Sequence, residues 1–152
     1  MLLTACTPAS PDAQPSSAPS STGSAAAGSP SATPTPTPTS TAPALVPDGS
    51  ASDNLAYFAA IVNAVAAGPD SAAGRAYIDA LVAGGFDKSA MQVTKDQSTV
   101  GNAAESIQFS VLWSGECLVG QVGPATGPPV AVVLPAVGSG TCLIGSTRPI
   151  DW

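Results

Sequence analysis

A long tract without charge or apolar periodicity confines any folded domain to the second part of this 152-residue chain. Between Asp12 and Asp48 there is no charged residue, and ten of the 16 prolines lie at or before Pro47. Alternating Thr and Pro favour extended polyproline II backbone, and this composition cannot bury enough apolar surface to offset the entropy of ordering. We therefore predict a disordered Pro/Thr/Ser-rich linker over residues 7–47 and a globular domain over residues 48–152.

The first residues resemble a lipobox, the signal for lipid attachment in bacterial lipoproteins. In Leu3-Thr4-Ala5-Cys6, a branched apolar residue and two small residues precede a cysteine, whose sulfur would accept a diacylglyceryl group. Only five residues precede Cys6, whereas a signal peptide has an apolar region of about 7–15 residues. We expect a start codon further upstream or a sequence that is already trimmed. Residues 1–6 are thus interpreted as a truncated lipoprotein signal, with lipidation at Cys6 and localisation at the outer face of the cell membrane.

The cysteine count agrees with export from the cytoplasm. Once Cys6 is assigned to the lipid, two further cysteines remain, Cys117 and Cys142. Disulfides persist in extracytoplasmic compartments, and an even number of cysteines allows full pairing. We therefore predict a disulfide between Cys117 and Cys142, and two free buried thiols are the alternative.

Two amphipathic helices are predicted at the start of the domain. The first is capped by Ser50 or Ser52 and ends at Gly68-Pro69. The second is capped by Asp70 or Ser71 and ends at the next pair of glycines. Apolar residues recur at spacings of three and four, which places them on one face of each helix. They are Leu55, Phe58, Ile61, Val62 and Val65 in the first helix, and Tyr77, Ile78, Leu81 and Val82 in the second.

One hairpin gives the clearest β signal. Side chains alternate in polarity over residues 107–113, and Ser114-Gly115 can form a two-residue turn into a partner strand over residues 116–122. Because successive side chains of a strand point to opposite faces, this register places Cys117 opposite Leu112 and away from the core, whereas a one-residue bulge would reverse the two faces. The pairs predicted on the core face are Val111 with Leu118 and Ile107 with Val122.

Further strands are predicted over residues 91–95, 130–134 and 141–145. The last of these carries Cys142, and a neighbouring strand carrying Cys117 would bring the two cysteines side by side. The predicted fold class is α+β. Two N-terminal helices pack on a small antiparallel β-sheet of three to five strands, preceded by a disordered Ser/Thr/Pro stalk.

Several short motifs are spread along the domain. They are Gly85-Phe86, Gln92-Val93-Thr94, Ser106-Ile107, Cys117-Leu118-Val119-Gly120-Gln121 and Thr147-Arg148-Pro149-Ile150-Asp151-Trp152. Together they resemble an uncharacterised family of actinobacterial surface lipoproteins. The similarity covers about two-thirds of the chain and leaves out the stalk. It implies an anchored, extracytoplasmic domain of unknown function and supplies no catalytic residue.

The residue types of the chain exclude several kinds of active site. The sequence has no histidine, so Ser-His-Asp and Cys-His sites are impossible within this chain. Neither Lys88 nor Lys95 follows a serine at the spacing of an S-x-x-K motif. Arg148 can pair with Asp151 at the surface. Six acids remain as candidates for a carboxylate pair of a glycosidase, and we expect them to be solvated surface charges. They are Asp79, Asp87, Asp96, Glu105, Glu116 and Asp151.

Few features indicate a bound group. The chain has no EF-hand-type acidic loop and no C-x-x-C pair, so we expect no metal and no cofactor. Its net charge is −6 and its four cations form no run, so we expect no nucleic-acid binding. A carbohydrate platform would need Trp113, Trp152 or Tyr57 to be exposed, and we expect these rings to pack in the core or at its edge.

The sequence therefore indicates a lipid-anchored extracytoplasmic module, with non-enzymatic binding or envelope assembly as its expected role. The expected partners are the membrane, through lipid on Cys6, and an envelope protein or wall glycan. Two alternatives stay open, a small cell-wall-active hydrolase that uses carboxylates and a purely structural envelope lipoprotein.

Overall fold

A computed structural model describes residues 42–152, so the predictions for Cys6 and for most of the linker lie outside the described residues. The described residues form two α-helices and one four-stranded antiparallel sheet with the strand order β1-β2-β3-β4, which confirms the predicted α+β fold. None of the described helices is both long and apolar enough to cross a membrane. The elements are α1 (Ala51–Ala66), α2 (Gly74–Ala83), β1 (Met91–Val93), β2 (Ile107–Trp113), β3 (Glu116–Val122) and β4 (Val130–Pro135).

Helix α1 begins at a capping box formed by Ser50 and Asp53. The Asp53 amide donates to Ser50 Oγ at 3.2 Å, and the Ser50 amide donates to Asp53 Oδ2 at 2.8 Å. These bonds satisfy two amides that the first helical turn would otherwise leave unpaired, so Ser50 is the cap. The fully buried side chain of Asn54 bonds to both the amide and the carbonyl of Val46. Domain contacts therefore begin within the segment assigned to the linker, where Leu45 also packs against the core.

Helix α2 begins later than predicted, because its cap comes from a distant part of the chain. Ala73 occupies the cap position and has no side-chain acceptor, so the expectation of a cap at Asp70 or Ser71 is wrong. The Gly74 amide instead donates to Asp96 Oδ1 at 2.9 Å. A side chain at position 74 would crowd that carboxylate, since its Cβ would lie 2.7 Å from Asp96 Oδ1.

The C-terminus of α2 agrees with the prediction of a glycine stop. Gly85 adopts a left-handed conformation with φ +94°, which a glycine adopts without strain. The Gly85 amide donates to the carbonyl of Val82 at 3.0 Å, and the Phe86 amide donates to the carbonyl of Leu81 at 3.1 Å. This pair of bonds is a Schellman motif, and it directs the Phe86 ring into the core.

The core lies between the helices and one face of the sheet. Phe58 and Val62 of α1, and Tyr77, Ile78 and Leu81 of α2, are buried there as the helical spacing predicted, whereas Val82 remains 39% exposed. The Phe109 ring stacks on Tyr77, with ring centroids 4.6 Å apart. On the neighbouring strand Gly120 pairs with Phe109, and a Cβ at Gly120 would lie 2.2 Å from the ring. The missing side chain makes room for the aromatic ring.

The register of the central hairpin is as predicted. Val111 pairs with Leu118, Ile107 with Val122 and Leu112 with Cys117. Ser114 and Gly115 both have positive φ, of 51° and 86°, as in the two-residue turns whose twist matches that of paired strands. Strand β1 is shorter than the predicted 91–95, because Thr94 leaves the strand and pairs with Thr147 through an isolated bridge.

The other face of the sheet is covered by an irregular segment, and the prediction of a strand over residues 141–145 is wrong. The amides of Cys142 and Leu143 donate to the side chain of Gln92, at 2.7 and 3.1 Å from Oε1, so they are not available for a strand ladder. Cys142 nevertheless forms the predicted disulfide with Cys117, with α-carbons 5.5 Å apart. The disulfide lies in a small second cluster with Val119 and Leu143.

The disulfide should contribute to the stability of the domain. Replacing both cysteines, as Cys117→Ala/Cys142→Ala, should lower the free energy of unfolding by about 3.5 kcal/mol, because the bridge closes a loop with a sequence separation of 25 residues and restricts the unfolded chain. The parent is the full chain carrying Cys6→Ser, so that neither lipid nor a third thiol interferes, and urea denaturation compares the two proteins. An unchanged denaturation midpoint would show that the bridge adds no stability.

Candidate functional site

The aromatic residues considered for a carbohydrate platform are used in packing. The Trp113 ring lies edge-on to Phe86, with centroids 5.6 Å apart, and its Nε1 donates to the carbonyl of Gly49 at 2.8 Å. The Tyr57 ring stacks on the Phe86 ring, with centroids 6.0 Å apart. Both rings therefore stabilise the edge of the core.

Trp152 is surrounded by cations. The guanidinium carbons of Arg75 and Arg148 lie 5.3 and 4.8 Å from the ring centroid, and Lys88 Nζ lies 5.4 Å from it. Lys88 also donates to the main-chain oxygen of Trp152. The indole Nε1 donates to Asp79 Oδ1 at 2.8 Å, and this hydrogen bond lowers the pKa of the Asp79 carboxyl. These contacts use three of the four cations of the chain to fix its last residue against α2.

Three of the six candidate carboxylates have structural partners. Asp79 accepts from Trp152 and from Arg75, and Asp87 accepts from the amide and hydroxyl of Ser89, which lowers the pKa of Asp87. Asp96 caps α2. Within residues 42–152, no cluster of three or more His, Cys, Asp or Glu residues has a geometry that could hold a metal ion.

The expected pair between Arg148 and Asp151 is wrong. Arg148 Nη2 instead lies 3.0 Å from Asp96 Oδ2. The backbone favours this partner, because the Arg148 amide donates to the carbonyl of Val93 at 2.9 Å and holds the residue beside the end of β1. Asp96 follows β1 by three residues and so meets Arg148 there.

A polar groove of about 820 Å³ lies beside the start of β2 and is the candidate site. This volume is within the range of small-molecule sites, about 300–1,000 Å³. The groove contains one cation, Lys95, and one anion, Glu105, and its remaining walls are mostly hydroxyl and amide side chains. It is defined here by Thr94, Lys95, Gln97, Asn102, Glu105 and Gln108.

One wall of the groove is a tight excursion of the chain over residues 96–104, which we call the groove loop. Its two arms are joined by backbone hydrogen bonds, from the Ala104 amide to the carbonyl of Asp96 at 2.9 Å and from the Ser98 amide to the carbonyl of Asn102 at 2.8 Å. The side chains of Gln97 and Asn102 are exposed on this loop. The loop is therefore closed by its own backbone bonds, and its two amide side chains are accessible to solvent.

The floor of the groove is tied to the sheet. Thr94 and Gln108 exchange two bonds, since the Thr94 amide donates to the Gln108 carbonyl at 2.9 Å and the Gln108 amide donates to Thr94 Oγ1 at 3.0 Å. Gln108 Nε2 also donates to Gln121 Oε1 at 3.1 Å. Within residues 42–152, the side chains that line the groove make two hydrogen bonds, one accepted by Thr94 Oγ1 and one donated by Gln108 Nε2. Most polar side-chain atoms of the groove are therefore open to a ligand.

Asp96 positions the groove loop. Its Oδ1 accepts from the Gly74 amide at the start of α2, its Oδ2 accepts from Arg148, and its carbonyl accepts from Ala104 across the base of the loop. One residue thus joins α2, the C-terminal segment and the loop. The turn-rich composition of residues 96–105 predicted a connection but not a site, because its exposed polar residues have no periodicity.

Asp96 variants test this role. Asp96→Ala removes both the helix cap and the ion pair, and we expect it to lower the free energy of unfolding by about 1–3 kcal/mol. Asp96→Asn keeps an acceptor oxygen for Gly74 and loses only the charge of a partly exposed pair, so its loss should be about 0–1 kcal/mol. Urea denaturation measures both.

The matched control is Asp70→Ala, at the position that local sequence favours as the cap. Asp70 is exposed, and no side-chain hydrogen bond is made at the cap position of α2, so this change should leave stability within about 0.5 kcal/mol of the parent. A larger loss for Asp70→Ala than for Asp96→Ala would contradict the assignment of the cap.

Comparison with known families agrees with the expectation of an uncharacterised domain. A domain of unknown function (DUF6993) matches residues 62–146, which is more than half of the chain. The matched range includes the whole polar groove and the disulfide, and it ends before Arg148 and Trp152. No match to the chain was found among curated proteins or among solved structures. The chain belongs to the family of the domain of unknown function DUF6993.

Proposed function

We propose that this protein is a lipid-anchored surface module of an actinobacterial cell envelope, which binds an envelope component without catalysing a reaction. The observation that carries the proposal is the polar groove, an open site of about 820 Å³ whose hydrogen-bonding side chains are largely unused by the fold. Its expected partner is an envelope protein or wall glycan.

The anchor is proposed from the sequence and supported by the disulfide. Leu3-Thr4-Ala5-Cys6 has the residue types of a lipobox, and the tract that follows has the composition of a spacer. At about 3.1 Å per residue, a polyproline-like tract of this length would reach up to roughly 120 Å. A disulfide between Cys117 and Cys142 is typical of a protein that works outside the reducing cytoplasm.

Binding is favoured over catalysis by the residues of the groove. General acid–base chemistry needs a positioned pair of titratable groups whose environments tune their pKa values. The ionisable residues of the groove are Lys95 and Glu105, and both are exposed to solvent. Asp79 and Asp96, which are candidates for a hydrolytic pair, are engaged in contacts that stabilise the fold.

The anchor is tested by Cys6→Ser in the full chain, expressed in an actinobacterium behind a complete lipoprotein signal. We expect the parent in the membrane fraction and accessible to protease on intact cells, and the Cys6→Ser protein in the soluble fraction, because it lacks the sulfur that accepts the lipid. Thr7→Ala is the control and should behave like the parent. A Cys6→Ser protein that stays with the membrane would contradict lipid anchoring at this residue.

The binding role is tested by co-sedimentation of the unlipidated full chain with isolated cell walls. We expect saturable binding that weakens in the variant Gln97→Ala/Asn102→Ala, because the groove loop loses both of its amide side chains. Asn63→Ala is the matched control, since Asn63 is an exposed amide on α1, outside the groove. Release of soluble wall fragments during incubation would indicate a hydrolase instead. Equal binding by Gln97→Ala/Asn102→Ala and by Asn63→Ala would exclude the groove as the binding site.

A further inference from the structure

The chemistry of the polar groove indicates which class of ligand it takes. We propose that the groove binds an uncharged saccharide chain through hydrogen bonds to the sugar hydroxyls. This inference rests on the proposed binding function and narrows its partner to a glycan.

The lining presents groups that both donate and accept hydrogen bonds. Gln97, Asn102 and Gln108 contribute primary amides, and Thr94, Ser106 and Ser146 contribute hydroxyls. An amide has two donors and an acceptor oxygen, and a hydroxyl is donor and acceptor at once. Sugar hydroxyls have the same dual character, so neighbouring hydroxyls of one ring can each find a complementary partner.

Charge argues against an anionic ligand. Phosphate and nucleic-acid sites draw on several clustered cations. Within the groove Lys95 is balanced by Glu105, while Arg75, Lys88 and Arg148 are gathered around Trp152. The groove residues therefore carry no net charge, which suits a neutral ligand.

The groove lacks the large apolar side chains that usually hold an apolar ligand. Small-molecule sites are usually lined by hydrophobic and aromatic side chains. In this groove the only apolar residues are Ala103 and Ala104, and the rest of its apolar surface consists of carbon atoms of polar residues, as a sugar ring also combines carbon atoms with hydroxyls. Without an aromatic ring on which a sugar could stack, binding depends on hydrogen bonds, and we expect millimolar affinity for a short saccharide. Many copies displayed on one surface would raise the avidity for a polymer.

The groove is arranged to bind without large reorganisation. The arms of the groove loop are closed by backbone hydrogen bonds, and Asp96 fixes the base of the loop to α2 and to Arg148. A loop that is already ordered loses little conformational entropy when a ligand arrives. Gln97 and Asn102 are exposed, whereas Thr94 and Gln108 are partly buried. A ligand can therefore meet hydrogen-bonding groups both at the surface of the groove and within it.

The test is an NMR titration of the isotope-labelled full chain carrying Cys6→Ser. The probes are tri-N-acetylglucosamine and maltotriose, with inorganic phosphate as the anionic comparison. We expect saturable shifts of the side-chain amides of Gln97, Asn102 and Gln108 with at least one trisaccharide, and none with phosphate. The variant Gln97→Ala/Asn102→Ala should weaken binding roughly tenfold, because it removes two sets of hydrogen bonds. Asn63→Ala should bind like the parent, and a spectrum of the double variant checks that it remains folded.

Three results would overturn the inference. Absence of saccharide-dependent shifts in the groove at tens of millimolar would exclude a glycan ligand there. Shifts caused by phosphate at Lys95 would indicate an anion site. Shifts confined to the surroundings of Trp113 or Trp152 would move the saccharide site away from the groove. If the chain co-sediments with cell walls but neither trisaccharide shifts the NMR signals of the groove, the binding function stands and the saccharide assignment fails. If the chain does not co-sediment with cell walls, the proposed function itself fails.

Discussion

The carboxylate of Asp96 connects parts of the chain that local sequence would leave separate. It caps the first turn of α2 through Gly74, pairs with Arg148 near the C-terminus, and stands at the base of the groove loop. The first amides of a helix have no acceptor within the helix, so where the cap residue offers none, the acceptor must come from another part of the chain. Asp96 meets this need, and the same residue anchors the groove loop to α2 and to the C-terminal segment.

Sequence patterns over a few neighbouring residues predicted the hairpin and the ends of the helices that are fixed by short-range contacts. The alternation over residues 107–113 and the Ser114-Gly115 turn gave the correct hairpin register, because a turn of two residues with positive φ leaves one way to pair the strands. The capping box at Ser50, where α1 begins, and the glycine stop at Gly85, where α2 ends, are also short-range features. Assigning Cys6 to the lipid left two cysteines, and this pair predicted the disulfide that closes over the outer face of the sheet.

The parts that sequence reasoning missed are set by side chains from distant elements. The start of α2 depends on Asp96, which lies 22 residues from Gly74. The segment around Cys142 is apolar enough to suggest a strand, but its amides bond to a glutamine of β1, 50 residues away. The polar groove had no signal of its own, since exposed hydroxyl and amide residues in a turn look the same whether or not they surround a cavity.

Gln92 gives the disulfide a second, noncovalent support. Its Oε1 holds the amides of Cys142 and Leu143, and the residue lies on β1, beside the strand that pairs with the Cys117 strand. After reduction the two sulfurs would therefore stay near each other, at a high effective concentration rather than at the ends of a free loop. When an external small-molecule disulfide oxidises one of the two thiols to a mixed disulfide, the other thiolate of the same molecule would attack it, re-form the bridge and release the small thiol before a thiol of a neighbouring chain could react. The fold thus favours re-formation of its own bridge over cross-linking to another chain.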